Sequence, residues 1–361
     1  MTPDLHITSP DDPLLDELCS RLLALGGDLD RSGAWPAEQL RLCGEYGVYQ
    51  WFIGNRWGGQ DWSDVDLVRG YLRLSAACLT TTFILTQRSG ACRRIEASDN
   101  EALKERLLPD LASGATFATV GISHLTTSRR HLAKPALAAV PTPQGFVLDG
   151  YTPWVTGALH AQTIVVGAAL DSGSQILVAL PTKLPGVRVP PPAQLLGLQS
   201  SHTGEVLLEG VQISSDWPLV GPAENVMASG SGGNTGGLQT STLAIGLAGA
   251  AIEFLATEAQ QRADLLAPAE SLRAEWLELQ ADLLAAAAGE ATCSSETLRS
   301  RANSLVLRAT QAALAAAKGS GYVVGHPAGR WCREALFFLV WSCPQPVMQA
   351  NLCELAGLQI G

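Results

Sequence analysis

Gln144-Gly145-Phe146-Val147-Leu148-Asp149-Gly150-Tyr151-Thr152-Pro153-Trp154-Val155-Thr156 is the stretch that decides the fold. Gln144-Gly145 opens it as a turn, and Phe146 to Leu148 form a short apolar strand. Asp149-Gly150 predicts a second turn that closes this strand. The chain then re-enters extended structure at Trp154-Val155-Thr156. The rest of the sequence is rich in Ala and Leu, so this stretch marks a β region set between helical ones.

Residues 1–112 read as a helical domain. Leu14, Leu15, Leu18, Leu22, Leu23 and Leu25 form one stripe, Trp35-Pro36 interrupts it, and Ala37 to Tyr46 resumes helix. Asp64 to Leu79 and Glu101 to Leu111 are further helices, and Asn55 to Gln60 is a turn. Residues 113–225 read as a β domain. Thr116–Val120, Gly145–Asp149, Ile164–Leu170, Gln175–Leu180, Val187–Val189 and Glu205–Ile213 are short β-branched or alternating runs. Gly, Pro, Asp and Ser separate them, which predicts a small antiparallel barrel or sandwich. Residues 226–361 return to helix, with Thr242–Gln261, Leu272–Ala288, Glu296–Lys318, Glu334–Val340 and Pro346–Leu355 as candidates. Gly246, Gly249 and Ala250 would let helix backbones approach closely. Ser229 to Gly237 is a Gly/Ser run read as a linker.

A chain of 361 residues is long for one core and predicts two or three domains. Charged residues make up only 16% and the mean hydropathy is +0.15, so much surface is buried in a large core or between subunits. A net charge of −10 excludes nucleic acid as a partner, because no basic face offsets it. The eight cysteines have neither Cys-x-x-Cys nor zinc spacing. No charged and apolar leader opens the chain, which predicts a cytoplasmic protein with reduced thiols. Apolar runs such as Leu283 to Ala288 are too short to span a bilayer, so no membrane span is expected.

The order of domains and the Gly145–Thr156 stretch resemble the acyl-CoA dehydrogenase family. There a Gly-aromatic-x-Leu-x-Gly hairpin leads to a Trp-x-Thr strand against the flavin of FAD. The resemblance covers nearly the whole chain and implies an α+β fold: an N-terminal helical domain, a central β-barrel or sandwich, and a C-terminal four-helix bundle. It implies FAD as cofactor, an acyl thioester or related small molecule as substrate, and a homodimer or homotetramer. Trp154 and Thr156 are the positions that would contact the flavin. An aromatic wall and a few fixed donors suit a flat, electron-poor ring.

Val120 to Arg129 stands where the family has Ala-x-Thr-Glu-Pro-x-x-Gly-Ser-Asp. Ser128 matches the motif serine, and Ile122 replaces the threonine that faces the cofactor. His124 replaces the proline and is either an acid–base group near the flavin edge or a histidine bonded to a backbone carbonyl. Gly319-Ser320-Gly321-Tyr322, with Pro327, Arg330 and Arg333-Glu334-Ala335, resembles a segment that meets the FAD of a neighbouring subunit. Arg262 falls where relatives hold the FAD pyrophosphate. Trp341-Ser342-Cys343-Pro344 takes the place of Tyr-Glu-Gly-Thr, so Ser342 replaces the glutamate that removes the substrate's α-proton. The alternative base position on the first bundle helix falls on Gly236 and Gly237.

Three functions are therefore in play. One is an FAD-dependent oxidoreductase with altered chemistry, in which His124 or a substrate group serves as base. A second is a flavin-dependent monooxygenase of the same fold, since Thr156 to Ala161 loosely resembles the Ser-Gly-x-x-His-Ala of that branch. The third is a non-catalytic binding or scaffold protein.

Overall fold

The computed structural model describes residues 5–126, 135–227 and 235–358. The first layer is helical: α1 (Pro13–Ser32), α2 (Ala37–Glu45), α3 (Asp64–Ala77), α4 (Leu79–Glu96) and α5 (Glu101–Ser113). Helix α1 starts where Asp12 accepts a hydrogen bond from the Leu14 N–H and Pro13 presets φ. It stops at Gly33 in the left-handed region (φ 61°). Its stripe of Leu15, Leu18, Leu22 and Leu29 is buried.

Helix α4 is absent from the sequence reading, which ends a helix at Leu79. The reason is its composition. It opens Leu79-Thr80-Thr81-Thr82-Phe83-Ile84, β-branched residues with weak helix preference, and it is buried on most sides, so no stripe stands out. Tertiary packing, not propensity, makes it a helix.

The middle of the chain forms one eight-stranded sheet: β1 (Ala118–Gly121), β2 (Leu137–Thr142), β3 (Gly145–Thr156), β4 (Thr163–Ala169), β5 (Gln175–Pro181), β6 (Val187–Arg188), β7 (Thr203–Ser214) and β8 (Pro218–Ala223). A single turn, α6 (Ser123–Thr126), follows β1. The order is β6-β7-β3-β2-β4-β5-β8, with β1 on β4. Two expectations need correction. The sheet is mixed, not antiparallel throughout, since β4 runs parallel to β1 and β2. Asp149-Gly150 is not a turn either. The strand runs through it, and Gly150, with φ 126°, absorbs a register shift against β7. A side chain at 150 would strike the Ala136 carbonyl at 2.3 Å. The expected turn at Gln144-Gly145 does join β2 to β3. Leu148, Val155, Ile164, Val178, Val206 and Val211 belong to one apolar core held within the sheet.

The C-terminal helices are α7 (Thr235–Ala259), α8 (Leu266–Ala287), α9 (Ser295–Gly321), α10 (Pro327–Ala335) and α11 (Gln345–Leu355). A 3-10 turn, Leu336–Leu339, extends α10. As anticipated, glycines bring helices together. A Cβ at Gly246 would lie 2.6 Å from the Leu72 carbonyl of α3, and one at Gly249 would lie 3.1 Å from Trp276 of α8. Leu238–Ala259 is long and apolar enough to cross a membrane, contrary to the expected absence of such a segment, but about two thirds of it is buried inside the molecule. It is the central helix of the bundle, packed on α3, α8 and α9. The molecule is thus α+β, with helices, sheet and helices in that order.

Candidate active site

The end of β3 carries the most unusual side chain of the sheet. Trp154 has φ +57°, where a β-branched or bulky residue is strained. It sits inside the register shift between Thr152 and Val155, and its side chain is 62% exposed. The shift turns the indole out of the strand. The neighbouring backbone is fixed from the end of β1 and the start of α6. Ser123 Oγ donates to the Pro153 carbonyl at 3.0 Å, and Gly121 lies so close to Thr152 that a Cβ there would be 2.9 Å from its Oγ1. That Oγ1 is itself buried without a hydrogen-bond partner.

Thr156 is placed differently from the flavin contact expected of its hydroxyl. It is buried, and its Oγ1 meets Thr203 Oγ1 of β7 at 2.9 Å, which in turn meets Ser201 Oγ at 2.8 Å. Only its backbone is left for a ligand on the Trp154 side. Ile122 packs against the helical core. Ser128 lies outside the described residues, as does most of the Ser229–Gly237 run.

His124 sits on α6, with Nε2 2.7 Å from the Gly167 carbonyl of β4. A carbonyl only accepts, so Nε2 carries the proton. Nδ1 is buried and unpartnered. Burial pushes the imidazole below its ordinary pKa, and the Gly167 bond only partly opposes this. The ring is therefore neutral at pH 7, in the geometry of the blander of its two expected roles.

Ser342 occupies another part of the molecule, the turn between Leu339 and α11. It is exposed, with φ +45°. The turn is tied down from beneath by α9. Arg299 Nη2 donates to the Trp341 carbonyl at 2.8 Å, and Asn303 Nδ2 donates to the Phe338 carbonyl at 3.0 Å. Burial pushes the Arg299 guanidinium down to about 10. Beside the turn, Phe337 and Trp341 stack at 5.1 Å, and Phe83 of α4 meets both edge-on at 4.9 Å. The Cys343 thiol is raised by burial. No carboxylate approaches Ser342 among the described contacts.

Arg262 and Gly319 share a third location. Arg262, beyond the end of α7, donates to the Ala316 carbonyl of α9 at 2.7 Å and lies 3.4 Å from Asp264. Gly319 faces open space. Just past it, Tyr322, Val323 and Val324 are 87%, 64% and 72% exposed, a run of apolar surface.

The sequence-derived residues thus fall into three groups: Ile122 and His124 flanking Trp154 and Thr156, Ser342 on its turn, and Arg262 with Gly319. Two clusters were missed. His160 stacks on Trp35 at 4.0 Å, its Nε2 meets His202 Nδ1 at 3.1 Å, and His202 Nε2 donates to the Gly33 carbonyl. This cluster joins the α1–α2 connection to the sheet, and it occupies the histidine of the monooxygenase-like segment. The other cluster centres on α4, whose buried arginines went unseen because the helix did. Charged residues in an apolar, stripe-free stretch were the available signal.

The profile of the acyl-CoA dehydrogenase N-terminal domain matches residues 18–115. A probable acyl-CoA dehydrogenase, YngJ of Bacillus subtilis, is 24% identical over 68% of this chain and 66% of its own length. The short-chain specific acyl-CoA dehydrogenase of Bos taurus mitochondria is 24% identical over 87% of this chain and 81% of its own. The chain belongs to the acyl-CoA dehydrogenase family. The fold agrees over 96% of the chain. A Mycobacterium smegmatis glutaryl-CoA dehydrogenase solved in complex with FADH2 superposes with a TM-score of 0.80 at 16% identity, covering 96% of each chain. Within an acyl-CoA dehydrogenase frame, the Trp154 strand and the Ser342 turn are the two places to compare.

Proposed function

We propose that the protein is an FAD-dependent oxidoreductase acting on an acyl thioester or a related small molecule, without a carboxylate base at position 342. The observation that carries this reading is Trp154. A large aromatic held outward in a left-handed backbone, 62% exposed beside a fixed β1 end, is a wall for a flat ring. Such strain persists where a site demands it. The residues fit the tricyclic end of a flavin, with the Trp154 indole, the backbone of Val155-Thr156 and the buried, unpartnered Thr152 Oγ1 close by. The phosphate end is less well provided. Arg262 already meets Ala316, Asp264 and, at 3.9 Å, Glu258.

FAD, when bound, accepts the electrons of the oxidation. The chain's own residues do the rest. Trp154 gives the ring an apolar face and keeps water off it. His124 holds its proton on Nε2 against Gly167 and presents Nδ1 as an acceptor. That nitrogen is sealed in this conformation, so α6 must shift before it takes a proton. Ser342 Oγ has no titration near neutral pH and cannot serve as base unaided. Saturated fatty acyl-CoAs are therefore poor substrates. The exposed Tyr322-Val323-Val324 surface beside Gly319 supports self-association, as a homodimer or homotetramer. Cytoplasmic location is part of the same reading.

The test is the absorption spectrum of the protein purified with and without FAD, followed by anaerobic butyryl-CoA. Bound flavin that butyryl-CoA does not bleach is expected. Rapid bleaching would overturn the altered chemistry. Oxygen consumption with free reduced flavin would favour a monooxygenase, and no flavin binding at all would leave a binding protein.

A further inference from the structure

The two histidines that tie the α1–α2 connection to the sheet form a hydrogen-bonded chain of fixed polarity. The Gly33 carbonyl only accepts, so His202 carries its proton on Nε2, 3.1 Å away, and the neutral ring offers Nδ1 as an acceptor. His160 Nε2, 3.1 Å from that nitrogen, is then the donor. Trp35 holds the His160 ring in place, stacked on it at 4.0 Å with 14° between the planes. Trp35 is itself wedged between Phe117, edge-on at 5.7 Å, and Gly157, where a Cβ would strike its ring at 2.6 Å. Both imidazoles are half-buried.

The backbone beneath them is strained. Leu198 and His202, neither a glycine, have φ of 58° and 48° on either side of the 3-10 turn Gln199–Ser201. The Gly157 N–H holds this turn to the sheet, donating to the Ser201 and His202 carbonyls at 3.1 and 3.2 Å. Ser200 Oγ holds it to α1, donating to the Leu29 carbonyl at 3.0 Å. The His202 ring adds the link to Gly33, just past the end of α1. Losing that link would let His202 leave the left-handed region, so the strain favours release.

Counting protons shows when the link fails. One added proton is accommodated on either ring, because the bond between the rings still has one donor and one acceptor. A second leaves all four nitrogens protonated and no acceptor between them. Two cations then face each other with 5.3 Å between ring centroids. The charged groups of the packed elements do not offset them. Asp28 pairs with Arg31, Asp30 with Arg333 and Glu38 with Arg41. Arg88 is bonded to the Thr116 and Leu111 carbonyls, and Lys183 and Glu205 are exposed.

We propose that His160 and His202 are an acid-opened latch between the helical layer and the sheet, closed with no or one added proton and released by the second. Burial, and the charge His202 would carry, hold His160 below the ordinary imidazole pKa. The latch therefore contributes stability that is complete above the ordinary imidazole range and is lost as pH falls below it. Glu334 has the opposite sign. Asp12 and Asp282, held low by their hydrogen bonds, act only below the ordinary carboxylate range. His124 shares the window, so the readout has to be local to the latch.

The experiment follows the full-length chain from pH 7.5 to pH 4.5 by two local probes. One is the ring ¹³Cε1 signals of the six histidines, assigned with His160→Gln and His202→Gln. The other is amide hydrogen exchange of residues 155–161 and 199–204, corrected for the intrinsic pH dependence of exchange. The rings of His160 and His202 should titrate in two coupled steps, each step visible at both rings. Protection of both segments should fall about tenfold with the second step, while the core of α7 stays protected. A glutamine amide turns to offer either a donor or an acceptor, so each variant should hold the fall to about twofold or less. Independent single steps at the two rings, protection in the wild type that does not change across the range, or a fall that persists in full in both variants would each overturn the latch.

Discussion

The Trp154 strand and the Ser342 turn are opposite cases of a strained backbone. Both residues have positive φ without being glycine. At Trp154 the strain holds a large side chain out of the sheet, and the described residues leave it 62% exposed. At Ser342 the side chain is small and exposed, and the turn that carries it is fixed: Arg299 and Asn303 hold its carbonyls from below, and Phe83, Phe337 and Trp341 pack on one another beside it. One region keeps a surface for a ligand, and the other is consolidated as structure. On the proposed reading, residues that grip a cofactor and residues that deprotonate a substrate have diverged independently within one fold.

Four substitutions sharpen or break this contrast. The largest effect is expected at the fixed turn. Arg299→Ala should cost about 3 kcal/mol, because it strands the Trp341 carbonyl and empties the buried space that the guanidinium fills. Urea unfolding checks it, and a loss under about 1 kcal/mol would mean that the turn is not held from beneath.

Next comes Glu334, buried on α10, where desolvation pushes its carboxyl up to about 7 against the opposing pull of Arg330. A raised folded-state pKa gives stability that is present below the ordinary carboxylate range and lost as pH rises through about 7. Glu334→Gln should remove that dependence. The wild type should lose up to about 3 kcal/mol relative to the variant between pH 5 and 8. Parallel melting curves of the two proteins over that range would refute the assignment.

Trp154→Ala should leave the thermal midpoint in place, since the indole is mostly exposed, and weaken flavin binding roughly tenfold, about 1.4 kcal/mol. A large drop in melting temperature would instead make the indole part of the core. The smallest effect is expected for Thr156→Val. It removes the hydrogen bond to Thr203, at about 1 kcal/mol of stability, and should not change flavin affinity. A flavin titration that weakened with Thr156→Val would return the hydroxyl to the site.

Much of the architecture was legible because it rests on local signals. The leucine stripe of α1, the glycines of α7 and the Gln144-Gly145 hairpin each act within a few residues. Helix α4 was not legible, because a threonine-rich run with no apolar face becomes helical only when packed on all sides. The bulge at Gly150 read as a turn, since glycine after aspartate serves both and only the pairing with β7 decides between them. In the candidate site, the motif pointed to Trp154, and the structure leaves that side chain exposed. Thr156 was found by the same motif, yet its hydroxyl turns to β7, because side-chain direction depends on the register shift at Thr152.

A titration of the purified chain with FAD, followed by visible absorbance and by Trp154 fluorescence against the Trp154→Ala variant, tests the central claim most directly. The account predicts a yellow, stoichiometric complex that quenches the wild-type indole and is weakened in the variant. A chain that stays colourless at every flavin concentration would contradict it.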